Sequence, residues 1–130
     1  MKTNPTIFIA DDDEEDIALL RDTLIDRNSM VNCITFHNGL VLLNYLKTNS
    51  EVLPDLIVLD VNMPVKNGFL TLHELKQHAL LKSIPVIMLT SSVRQEDESR
   101  CLEMGCRVLF KKPDSMLEYI NLAERILLLT

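Results

Sequence analysis

A chain of 130 residues with 47% hydrophobic and 25% charged residues is long enough for one domain with its own core and has the balance of an ordinary globular protein. Its net charge of −6, with Lys and Arg scattered apart from Lys111-Lys112, offers no basic stripe for phosphates and disfavours nucleic acid or an anionic membrane as a direct partner. No apolar run approaches a membrane span, and "MKTNPTIFIADDD" lacks the long apolar segment of a signal peptide, so a cytoplasmic protein is expected.

"TIFIA" (6–10) predicts the first strand, and "EEDIALLRDTLIDR" (14–27) a helix with Ile17, Leu20 and Leu24 on one face. "VNCITF" (31–36) alternates as a strand does, and "NGLVLLNYLKTN" (38–49) is a helix with Asn38 as its N-cap. "DLIVL" (55–59) is a strand buried on both faces, followed by a helix over 68–81. "PVIMLT" (85–90) is a second buried strand, with Pro85 where no ladder donor is lost. A polar helix follows over 91–104, with a capping box at Ser92-x-x-Gln95 and a stop at Gly105. "RVLF" (107–110) is a short strand, and 114–129 is the last helix, with Asp114 as its cap.

Five strands, the central ones continuously apolar, in strict alternation with five helices predict an α/β fold, a parallel sheet covered on both faces. In such sheets sites lie at the carboxyl ends of the strands. Those ends carry Asp11-Asp12-Asp13, Asp60, Thr90-Ser91-Ser92 and Lys111-Lys112-Pro113. Acids from two strands repel unless a proton or a cation joins them, and an all-oxygen set suits Mg²⁺. A carboxylate beside a metal, an ammonium group and a hydroxyl can accept a phosphoryl group. Taken alone, "DDDEED" reads as a solvated helix start, and it fails as an EF-hand because Asp16 stands where the loop needs Gly. The three cysteines, Cys33, Cys101 and Cys106, have no Cys-x-x-Cys spacing and read as buried or half-buried reduced thiols.

"IFIADDDEED", "LIVLDVNMPVKNG", "IPVIMLTSS" and "MGCRVLFKKP", in this order, resemble the successive signatures of response-regulator receiver domains across essentially the whole chain. The resemblance is nearest to stand-alone receivers that pair with phytochrome-type histidine kinases. It implies one receiver domain over 1–130 without an output domain, and a flavodoxin-like, doubly wound five-stranded sheet of order 2-1-3-4-5. It implies that Asp60 accepts a phosphoryl group from a histidine kinase or phosphotransfer protein. It also implies that Asp11, Asp12, Asp60 and the backbone carbonyl of Asn62 hold Mg²⁺. By the same likeness Thr90 hydrogen-bonds the phosphoryl group, Lys112 pairs with it, and Ser91 keeps access open.

Leu109 departs from the pattern, since many receivers carry there an aromatic that swings inward; Phe110 is one place off and should face the other side. On the last helix Met116, Ile120, Ala123 and Leu127 form one apolar stripe for the sheet, and Tyr119, Leu122, Ile126 and Leu129 a flanking one. The surplus makes a homodimer or partner contact through helices four and five an expectation. The chain is expected to be a signalling phosphoacceptor rather than an enzyme, because an aspartyl-phosphate phosphatase would need an acid where Asn62 stands. The alternative is a degenerate receiver that binds partners without phosphorylation.

Overall fold

The computed structural model describes residues 2–49 and 51–130. In chain order the elements are β1 (Thr6–Ala10), α1 (Glu14–Arg27), β2 (Asn32–Phe36), α2 (Gly39–Thr48), β3 (Leu56–Asp60), α3 (Gly68–Gln77), β4 (Val86–Thr90), α4 (Gln95–Glu103), β5 (Leu109–Lys111) and α5 (Met116–Leu128). The strands form one parallel sheet in the order β2-β1-β3-β4-β5. This is the expected flavodoxin-like arrangement, and the order reverses between β1 and β3.

Successive residues of a strand face opposite sides, so the apolar runs of β1, β3 and β4 feed two cores. Phe8, Ala10, Ile57, Leu59, Val86 and Met88 pack on the side of α2 and α3. Ile7, Ile9, Leu56, Val58, Ile87 and Leu89 pack on the side of α1 and α5. Every residue of β3 and β4 is buried. The register sets Ala10 beside Leu59, Asp60 beside Leu89 and Thr90 beside Lys111, which brings the carboxyl ends of four strands to one edge.

Several boundaries differ from expectation for local reasons. Helix α4 begins at Gln95 after Arg94, which makes no side-chain cap, so Ser92 forms no capping box. The Ser92 backbone is held instead by Thr90, whose hydroxyl donates to the Ser92 carbonyl at 3.1 Å and accepts the Ser92 N–H at 3.4 Å. Helix α5 is capped by Ser115 rather than Asp114, through its Oγ and the Glu118 N–H at 3.2 Å. Helix α3 stops at Gln77, and 78–84 continue as turns. The stripe of α5 that enters the core is Tyr119, Leu122, Ala123, Ile126 and Leu127, and Met116 is exposed. Cys101 and Cys106 are not free thiols but a disulfide, and Cys33 is free. Gly105, at φ +91°, turns the chain back after α4 and brings the two Cα atoms to 5.1 Å, within bridging range. Leu109 and Phe110 face opposite cores, as the strand period requires.

Candidate functional site

The run of acids after β1 divides into separate tasks. Asp11 follows the last residue of the buried strand β1 and is itself buried. Its Oδ1 accepts the Asp13 N–H at 2.9 Å, which fixes the turn into α1. Asp12 is exposed at the rim. Asp13 is the N-cap of α1, accepting from the N–H groups of Glu15 and Asp16 at 3.0 and 3.1 Å. The helix-start reading of "DDDEED" therefore holds for Asp13, while Asp11 and Asp12 turn toward Asp60. Carboxylate oxygens of Asp11, Asp12 and Asp60 all lie within 4.8 Å of one another.

Asp60 is the last residue of β3 and is buried. The Asn62 N–H reaches its Oδ1 at 3.4 Å, so Asn62 lies at the rim with its backbone against the carboxylate. Past it, Val65 takes a left-handed backbone (φ 67°), a conformation that costs a β-branched residue about 1–2 kcal/mol, and the chain bends toward α3. Gly68 seats the start of α3 directly on the strand end, its N–H donating to the Val61 carbonyl at 3.0 Å. A Cβ there would stand 2.4 Å from the Asp60 carbonyl oxygen, so only glycine permits this approach.

From the other side, Lys112 spans the acids. Its Nζ lies 3.1 Å from Asp11 Oδ2 and 3.4 Å from Asp60 Oδ2. It also lies 3.0 Å from Asp16 Oδ2, to which it donates a hydrogen bond. Asp16 was not among the site residues read from the sequence. The available signal was its place one turn before Leu20 and two before Leu24, on the buried face of α1, which carries that face to the sheet edge. Thr90 is buried at the end of β4, and Ser91 follows it in an exposed position. The Lys112 N–H donates to the Thr90 carbonyl at 2.8 Å, tying the two strand ends together.

The electrostatics follow from burial. Desolvation and the neighbouring Asp11 charge push Asp60 up to about 7, against the pull of Lys112. Asp11 is raised for the same chief reason, its burial. Burial works against the Lys112 cation, but the hydrogen bond to Asp16 and the charges of Asp11 and Asp60 outweigh it and hold the ammonium well above its ordinary range. The site is thus short of positive charge. Its all-oxygen donor set of crowded carboxylates fits a hard divalent cation and no soft one.

A doubly wound α/β domain with an acidic pocket, a hydroxyl and a lysine at the edge where the strand order reverses belongs to the class whose ligand site lies at that edge. The model of the response regulator receiver domain matches residues 7–123, and the chain belongs to that family. Membership sets it within two-component signalling. Over 116 residues the chain is 32% identical to the polar-differentiation response regulator DivK of Brucella anthropi, covering 89% of this chain and 90% of DivK. The phosphorylated cyanobacterial phytochrome response regulator RcpA superposes with a TM-score of 0.86 at 27% identity, over 95% of this chain and 91% of that one. The Mn²⁺-bound form of response regulator Rcp1 gives 0.82 at 27% identity, over 94% and 91%.

Proposed function

We propose that this receiver is a Mg²⁺-dependent phosphoacceptor of a two-component phosphorelay, and that Asp60 is the residue charged. The observation that carries the reading is the junction at Asp60, a carboxylate on a central buried strand with Lys112 Nζ at 3.4 Å and two further acids within 4.8 Å. In the ionised form an Asp60 oxygen attacks phosphorus, the P–N bond of a donor phosphohistidine breaks, and the imidazole leaves with its electron pair. Asp11, Asp12, Asp60 and the carbonyl of Asn62 would hold the cation, which when bound supplies positive charge to the phosphoryl oxygens. Lys112 brings the protein's own positive charge to the same oxygens. Thr90, whose hydroxyl now bonds Ser92, would turn to the phosphoryl group, and the neighbouring Ser91 leaves room for it. The chain then acts as a phosphoacceptor and not as an enzyme on a separate substrate.

The donor is a sensor histidine kinase or phosphotransfer protein, and the cytoplasm is the compartment where both would meet it. The output is a change in protein contacts. Leu102, Leu117 and Leu128 are exposed on α4 and α5, which supports a homodimer or partner contact there. One observation favours a second reading, a phosphorylation-independent interaction module. Leu109 is a buried core residue, so no aromatic at that position can swing inward.

Intact mass separates the two. Incubation with acetyl phosphate and Mg²⁺ is expected to add one phosphoryl group, and Asp60→Asn or removal of Mg²⁺ to abolish it. A folded protein that stays unmodified with its donor and with a phosphorylated kinase would leave the interaction module.

A further inference from the structure

We infer that Asp16 is a positioning residue for phosphoryl transfer, holding Lys112 over the site so that the rest of its ammonium group faces Asp60. The inference rests on the phosphoacceptor reading. The Lys112 ammonium has three donors, and three carboxylates surround it. The contact to Asp16, at 3.0 Å, is the shortest of the three and a hydrogen bond, and Asp11 and Asp60 lie at 3.1 and 3.4 Å. The Lys112 side chain is 16% exposed and that of Asp16 31%, so the bond is only partly open to water. Ile9, Leu20, Leu89 and Tyr119 line the same small cavity and offer the lysine stem an apolar wall. Asp16 differs from the other acids in where it stands. Asp11 and Asp60 belong to strand ends that would be engaged by the cation and the phosphoryl group, whereas Asp16 lies on the first turn of α1, which is packed against the sheet through Ile17, Leu20 and Leu24.

A lysine on four rotatable bonds loses much of its freedom when it is held in one geometry. With one donor committed to Asp16, that freedom is already spent before the phosphoryl group arrives, and two donors remain for the reacting oxygens. Asp16 bonds Lys112, and its charge also acts on Asp11, so the test must separate an effect carried by the lysine from one of charge alone.

The test is a double-mutant cycle on the full chain, read as the rate of phosphoryl uptake from acetyl phosphate with Mg²⁺ by intact mass. Asp16→Ala is expected to slow uptake about fivefold, the order a loosened catalytic group brings, and Asp16→Glu to restore most of it. In a Lys112→Ala background, Asp16→Ala should have no further effect. A structural or general charge role for Asp16 would persist in that background and would overturn the inference, as would a variant as fast as the parent, while the phosphoacceptor reading survived either result. If the parent chain takes up no phosphoryl group from acetyl phosphate or from a phosphorylated kinase, both fall together. A second readout needs no phosphorylation. In protein carrying ¹⁵N-lysine, the Lys112 ammonium signal is expected to be protected from water exchange and to lose that protection in Asp16→Ala; protection unchanged by the substitution would also overturn it.

Discussion

Single residues at the edge of the sheet carry tasks that their neighbours in sequence do not share. In Asp11-Asp12-Asp13 one carboxylate is buried, one sits at the rim and one caps a helix, because the strand ends at Ala10 and the helix begins at Glu14. Gly68 is the tightest of these constraints. A side chain there would meet the Asp60 carbonyl at 2.4 Å and Val61 Cα at 3.0 Å, and both are backbone atoms at the end of β3. Backbone cannot yield as the tip of a side chain can, so α3 would have to lift from β3. Gly68→Ala is therefore expected to cost about 1–3 kcal/mol, the usual range of overpacking. It should also weaken divalent-cation binding by displacing Asp60. Denaturant midpoints and a Mg²⁺ titration of the same variant check both. An unchanged midpoint would mean that the helix start accommodates a methyl group without moving.

Among the elements, α4 is the least attached. Of its nine residues only Asp97 and Cys101 are buried, its first turn has no side-chain cap, and Arg94 reaches Asp97 across that turn at 3.0 Å. An element with so few apolar contacts opens at low cost. The Cys101–Cys106 bond fastens its last turn to the chain entering β5. Closing so short a loop is worth about 2 kcal/mol by the chain-entropy relation. Reduction, or Cys101→Ser, should lower stability by that order and speed amide exchange in α4 ahead of α3. Alkylation after denaturation without reductant should label Cys33 alone, and all three cysteines once reductant is added. In the native state Cys33 should resist labelling, since burial pushes its thiol up to about 11. The elements themselves were largely legible in the sequence, because β1, β3 and β4 are continuously apolar and α1, α2 and α3 start at Asp, Asn and Asn caps. So was the placement of Asp60, Thr90 and Lys112 at one edge of the sheet, since each lies at or just past the carboxyl end of a strand. The start of α4 was not legible, because a capping motif is local and in the fold the Thr90 hydroxyl accepts the Ser92 N–H that the Gln95 side chain would have bonded. Nor was the disulfide, because it depends on the turn at Gly105 bringing together residues whose spacing has no metal or redox signature. Asp16 was hidden for a third reason. Its partner is 96 residues away, and only the packed fold brings them within reach.

At the scale of the whole molecule, folding gathers acids that the unfolded chain keeps apart. A net charge of −6 is spread along the sequence, yet Asp11, Asp12 and Asp60 end within 4.8 Å of one another, with Lys112 as the cation among them. Assembling the site thus opposes folding, and any proton or cation that enters it favours folding. The direction of the pH dependence follows. Burial and the Asp11 charge raise Asp60 from 3.8 in the unfolded chain to about 7 in the folded one, and burial raises Asp11 as well. Between those two values the folded state binds more protons than the unfolded state, so stability decreases as pH rises. The contribution is fully present below about 3.8 and is lost as pH passes through about 7. Asp55, lowered against its burial by the Thr6 N–H and by Lys2, and Glu74, lowered chiefly by its hydrogen bond from Lys66, act in the opposite sense at more acidic pH, so the whole-protein curve mixes both. The difference between the parent and Asp60→Asn removes them. In metal-free buffer, denaturant midpoints from pH 5 to 8 should fall for the parent relative to Asp60→Asn, and the variant should be the more stable of the two at pH 8. Added Mg²⁺ should stabilise the parent more at pH 8 than at pH 5, because the cation displaces protons from the carboxylates that hold it. It should do little for the variant. Parallel pH curves for the two proteins would mean that Asp60 is ionised throughout, and that Lys112 alone balances the acids of the site.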